Sequence, residues 1–136
     1  MGRRITRKQL KKDDEFVSAA ELIFRWVADN VKPIGAGIVA IWAHLPPDVR
    51  ARVHAACVRA LRPGGAFVLE AYTPRHLERP GEGGPPSVEL LMTPEGLRTE
   101  LAGLNFERCA EVDRNINEGL YHRGPSTTVQ VLAFRP

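Results

Sequence analysis

Leu45 to Pro74 reads LPPDVRARVHAACVRALRPGGAFVLEAYTP, and the rest of the chain is organised around it. Pro46 and Pro47 open a helix, where a missing amide hydrogen costs nothing and the fixed φ suits the first turn. Val49, Val53, Ala56, Cys57, Ala60 and Leu61 then recur on one face of a 3.6-residue period, which leaves Arg50, Arg52 and Arg59 mostly on the wet side. Pro63-Gly64-Gly65 is expected to stop the helix, with glycine available for a left-handed cap. Ala66-Phe67-Val68-Leu69 follows as a nearly continuous apolar run, the mark of a buried strand. A helix feeding such a strand is half of a right-handed α/β crossover.

Upstream, Ile38-Val39-Ala40-Ile41-Trp42 reads as another strand. Gly35-Ala36-Gly37 lacks the strand-before, helix-after context of a nucleotide-binding loop and reads as a joining turn. Downstream, Arg75 to Ser87 is rich in Pro and Gly and reads as a surface loop. Thr93 caps a short helix with Pro94 in its first turn and Leu97, Leu101 and Leu104 on its face. Phe106 to Val112 alternates as a strand, Asn115 to Pro125 reads as a polar connection carrying Tyr121 and His122 at the surface, and Thr127 to Phe134 is a closing strand.

Leu61-Arg62-Pro63-Gly64-Gly65 followed by Phe67-Val68-Leu69-Glu70 resembles the post-helix signature of class I S-adenosylmethionine-dependent methyltransferases. With IVAIWAHLPP upstream and EAYTP downstream, the pattern resembles the tellurite-resistance-type branch of that family, over roughly Gly37 to Pro136 and corresponding to its C-terminal half. The resemblance implies an α/β, partial Rossmann-like sheet of about four strands, ordered fourth, fifth, seventh, sixth in family terms. It places Ala43, His44 and Leu45 beside bound S-adenosylmethionine, and Glu70 and Tyr72 at the carboxyl edge where a substrate would lie. From the residues alone, His44 also reads as a polar residue packed against the next helix, and Tyr72 as a strand-end aromatic covering the core. No catalytic residue and no metal ligand set is assigned.

At 136 residues, 43% hydrophobic and 26% charged, the chain has the composition of a globular domain with a modest core. Arg3, Arg4, Arg7, Lys8, Lys11 and Lys12 concentrate six positive charges in the first twelve residues; the net charge of +3 less those six leaves −3 elsewhere. No aromatic residue interleaves this arm, so it reads as a solvated terminus rather than a specific nucleic-acid site. Phe16, Ala20, Ile23, Val27 and Val31 make the apolar stripe of an amphipathic helix behind it. RRITRKQLKKDDEF and that helix resemble the lead-in of membrane-anchored tetratricopeptide-repeat proteins, but the apolar run from Pro33 to Leu45 is too short for a membrane span. The chain therefore divides into an arm and helix, 1–36, and a methyltransferase-like half-domain, 37–136. Two cysteines, Cys57 and Cys109, suit reduced thiols and a cytoplasmic setting.

The glycine-rich loop and ribose-holding acid of the resembling family find no counterpart in the sequence. Methyl transfer to a small-molecule acceptor is thus expected to need a partner that completes the cofactor site. The strand Ile38–Trp42 would be left as an apolar edge, inviting a homodimer. The alternative is a non-catalytic α/β remnant serving as an interaction module.

Overall fold

The computed structural model describes residues 35–79, 83–118 and 122–136. The basic arm, the helix expected over Phe16 to Val31, and Tyr121 lie outside the described residues. Four strands and two α-helices follow in the order β1 (Gly35–Ile41), α1 (Pro47–Ala60), β2 (Leu61–Tyr72), α2 (Pro94–Glu100), β3 (Asn105–Asn117) and β4 (Arg123–Phe134), with short 3₁₀ turns at Pro74–Glu78 and Val88–Leu90. They form one sheet in the order β1-β2-β4-β3. Counting β1 as the fourth strand of a methyltransferase makes this order four, five, seven, six. β1 and β2 are parallel; β4 runs antiparallel to both β2 and β3.

Alternation along the strands sorts the two faces. Phe67, Leu69 and Ala71 point one way and meet Val129, Val131 and Ala133 of β4, Leu97 of α2, and Leu101 and Leu104 just beyond it. Cys57 and Val58 of α1 pack against the same cluster, so both helices cover one face. Val39 and Val68, paired across the parallel ladder, point the other way, with Val39 69% exposed. Each fully buried leucine or phenylalanine contributes on the order of 1.5–3 kcal/mol through water released from its surface.

Several boundaries differ from the sequence reading, each for a local reason. Gly35-Ala36-Gly37 is not a turn but the start of β1, where the register shifts: Gly35 pairs with Leu61 and Gly37 with Ala66, so the extra residues lie in β2. Glycine does not cap α1: the chain turns extended at Leu61, and Gly64, with φ +75°, lies three residues further on. The Arg135 guanidinium reaches back instead, donating to the carbonyls of Val58 at 3.1 Å, Arg59 at 2.7 Å and Leu61. It satisfies the orphan acceptors of the last turn with a charge that suits the negative end of the helix dipole. The segment 115–125 is mostly ladder, because the β3–β4 pairing continues to Asn117 opposite Arg123. Arg50 is not on the wet side. It is only 9% exposed, and its guanidinium donates to both carboxylate oxygens of Glu100 at 2.9–3.1 Å.

Candidate active site at the carboxyl edge

β1 and β2 are parallel, so both carry their carboxyl ends, Ile41 and Tyr72, to the same edge of the sheet, where open α/β folds hold ligands. The chain leaves β1 through Trp42, whose φ of 55° is a left-handed value that a bulky side chain rarely adopts. Its backbone is pinned from both sides: Trp42 N–H donates to Glu70 O, and its carbonyl accepts from His44 N–H, both at 3.0 Å. This tight reversal aims the indole at Tyr72.

Tyr72 is fully buried and is the hub of an aromatic cluster. Trp42 stacks on it with centroids 4.5 Å apart, and His76 at 4.1 Å. His44 and His122 lie at 5.7 and 5.8 Å, and Trp42 also stacks on His122 at 5.1 Å. The Tyr72 hydroxyl is 2.9 Å from His122 Nδ1. Burial pushes the phenol pKa up, with Glu118 and Glu70 adding to the effect, so its proton is retained. Gly84 closes over the ring: a Cβ there would sit 2.7 Å from Tyr72 Cδ2, and its φ of 76° independently favours glycine.

His44 is fixed by two bonds that define its tautomer. Nδ1–H donates to the Leu90 carbonyl at 2.9 Å, and Nε2 accepts the Tyr72 backbone N–H at 3.3 Å. Burial lowers its pKa below the usual 6.5; the Leu90 carbonyl opposes this and the positive Arg50 adds to it. Ala43 and Leu45, on either side, are half-buried.

Glu70 begins a second, charged layer. Its carboxylate accepts from Arg114 at 2.7 Å, Thr128 at 2.9 Å and Gln130 at 3.3 Å. Arg114 continues to Glu118 at 2.7 Å, and Glu118 accepts the Trp42 indole N–H at 3.2 Å. The two layers are thus joined through Trp42. A cleft of about 240 Å³ opens beside them, lined by Arg79, Asp113, Arg114, Asn115, Pro125 and Ser126. That is just below the usual range for small-molecule pockets, about 300–1,000 Å³. No group of three metal-ligating side chains with the geometry for an ion occurs among the described residues.

Of the five residues singled out from sequence, His44, Glu70 and Tyr72 meet at this edge, and Ala43 and Leu45 flank His44. Glu70 and Tyr72 face protein partners here rather than open solvent. Trp42, His76, Arg114, Glu118 and His122 were not anticipated. Among these, His122 read as a surface residue because the β3–β4 hairpin that returns it to Tyr72 looked like a polar connection.

Neither the family models scanned nor the curated proteins searched contain a match to this sequence. Solved structures do match in fold. TehB from Haemophilus influenzae is similar with a TM-score of 0.59 at 13% identity, over 92% of this chain and 48% of its own. A SAM-dependent methyltransferase from Methanosarcina mazei matches with a TM-score of 0.50 at 14% identity, over 74% of this chain and 58% of its own. The N-methyltransferase NodS from Bradyrhizobium japonicum matches with a TM-score of 0.50 at 12% identity, over 92% and 70%. The fold is therefore that of a class I S-adenosylmethionine-dependent methyltransferase, and the chain spans about half the length of several of the structures it resembles. Among the described residues no helix is long and apolar enough to cross a membrane.

Proposed function

We propose that residues 35–136 form the acceptor-side half of a methyl-transfer site, a cytoplasmic unit that works on a small molecule only once a partner supplies the donor side. The observation that carries this is the convergence of His44, Glu70 and Tyr72 at the carboxyl edge of two parallel strands, in a fold shared with methyltransferases. Ala43, His44 and Leu45 would border S-adenosylmethionine; Glu70 and Tyr72 would stand toward the acceptor. Methyl transfer depends on holding a sulfonium donor in line with a nucleophile. The described residues offer few free donors for the cofactor's carboxylate and ribose, since His44 is already committed on both ring nitrogens. Radiolabelled S-adenosylmethionine incubated with the 136-residue protein and a small-molecule extract should yield no labelled product; turnover abolished by Tyr72→Leu would replace this reading with a self-sufficient enzyme.

A second reading, a non-catalytic module that dimerises, is favoured by the outer edge of β1. No strand pairs with that edge among the described residues, and Val39 and Ile41 are 69% and 44% exposed. An apolar unpaired edge is a template for association, and a homodimer through Ile38–Trp42 would cover it. Sedimentation equilibrium should give a dimer at micromolar concentration that Val39→Lys converts to monomer. A monomer throughout would remove the dimer from both readings.

A further inference from the structure

Three of the chain's four histidines, His44, His76 and His122, surround one tyrosine, and two of them, His44 and His76, have no acceptor for a second ring proton among the described residues. His44 Nε2 accepts the Tyr72 N–H, so a proton there would set two donors against each other. His122 Nδ1 lies 2.9 Å from the Tyr72 hydroxyl, which can donate to it or accept from it, so this contact tolerates either protonation state. His76 donates from Nε2 to the Gly83 carbonyl at 2.9 Å, and its buried Nδ1 has no hydrogen-bond partner among the described residues. A proton on that nitrogen would meet no acceptor, at the cost of an uncompensated buried charge.

We propose that this cluster is an acid-released clasp on the carboxyl-edge site: closed around Tyr72 while the imidazoles are neutral, and opened when they take up protons. The charged groups facing it favour release. Arg50, from α1, lies on the His44 side, and the three imidazoles repel one another once charged. Arg114 from β3, Glu118 just past its end and Glu70 from β2 face Tyr72, but their charges are engaged with each other and with the Trp42 indole, Thr128 and Gln130. Among the described residues no carboxylate is hydrogen-bonded to His44, His76 or His122. Opening would uncover the Tyr72 hydroxyl and the Trp42 indole, the groups that this edge could offer an acceptor molecule. What opens the clasp rests on the cluster alone; its consequence for an acceptor rests on the methyl-transfer reading.

Near-ultraviolet circular dichroism from pH 8 to 5 tests the clasp with no methyl donor present, so its failure is separate from any failure to bind S-adenosylmethionine. The band that Trp42→Leu removes should fall at least threefold below pH 6.5 while the far-ultraviolet spectrum holds. The combined variant His44→Gln, His76→Phe, His122→Asn should keep the band to pH 5. A band constant to pH 5 in the unmodified protein, or one fading alike in both, would overturn the proposal. Should the combined variant not fold, amide exchange of the unmodified protein decides: Tyr72 protection should drop at least tenfold between pH 7 and 5.5 while Leu69 protection stays, and unchanged Tyr72 protection would overturn it.

Discussion

The fourth histidine shows what the other three lack. His54, on α1, is as buried as His76, but its Nδ1 lies 2.7 Å from Glu100 Oε2, and Glu100 also binds Arg50. A protonated imidazole there has a carboxylate to receive it. Around Tyr72, His44 and His76 each give one ring N–H to a backbone carbonyl, and their other nitrogens meet a backbone N–H and no described partner, respectively. One region is a clamp that ties α1 to Glu100 at the end of α2 through charge; the other is a neutral stack gathered on a strained residue. Burial is the same for His54 and His76, so the difference between those two lies in which partners the sequence puts within reach.

Breaking the clamp should have the largest effect. Glu100→Ala leaves the Arg50 guanidinium buried without its carboxylate and should cost about 3–5 kcal/mol in urea unfolding. Acid should attack it more gently. Burial alone would raise the Glu100 pKa, but hydrogen bonds from His54 and Arg50 reverse this and bring it from 4.5 to about 2. A carboxylate whose folded pKa is depressed contributes stability that is complete above its unfolded value and is lost as pH falls through the folded one. About 3 kcal/mol should therefore disappear between pH 4.5 and 2, and Glu100→Gln should remove that segment of the pH–stability curve. His44 has the same slope in a higher window: its lowered pKa makes folding less favourable as pH drops below 6.5.

The stack is expected to yield to smaller changes. Gly84→Ala forces a Cβ against the Tyr72 ring at a left-handed φ and should cost about 2 kcal/mol, seen as a lower melting temperature. Trp42→Ala and Trp42→Gly both delete the indole, yet only alanine keeps the strain of φ 55°. The glycine variant should be the more stable by about 1 kcal/mol in chemical denaturation; equal stabilities would mean that the backbone relaxes once the indole is gone.

The sequence disclosed the fold far better than the site. Proline-opened helices and the apolar run through Leu69 are local signals that marked the elements, whereas Pro63-Gly64-Gly65 falls inside β2 and not at a helix stop, and the sheet order was implied by the family resemblance. Arg50 misled because helical periodicity sorts residues by polarity, while Glu100, which draws Arg50 inward, sits fifty positions away. The stack was legible only in part. His44, Glu70 and Tyr72 could be placed from strand ends, but His122 reaches Tyr72 through a hairpin whose length is set by the β3–β4 ladder, and His76 by a 3₁₀ turn without a pattern of its own. Trp42 gave no sequence sign of its φ, since a left-handed tryptophan is held by its neighbours and not by its own preference.

Titration calorimetry of the 136-residue protein with S-adenosylmethionine tests the central claim, an acceptor-side wall that cannot hold the donor alone. The account predicts no saturable heat at millimolar ligand, the level corresponding to a binding free energy of about −4 kcal/mol. Saturable binding that disappears in His44→Ala and in Glu70→Ala would contradict it, and would make the carboxyl edge a working cofactor site.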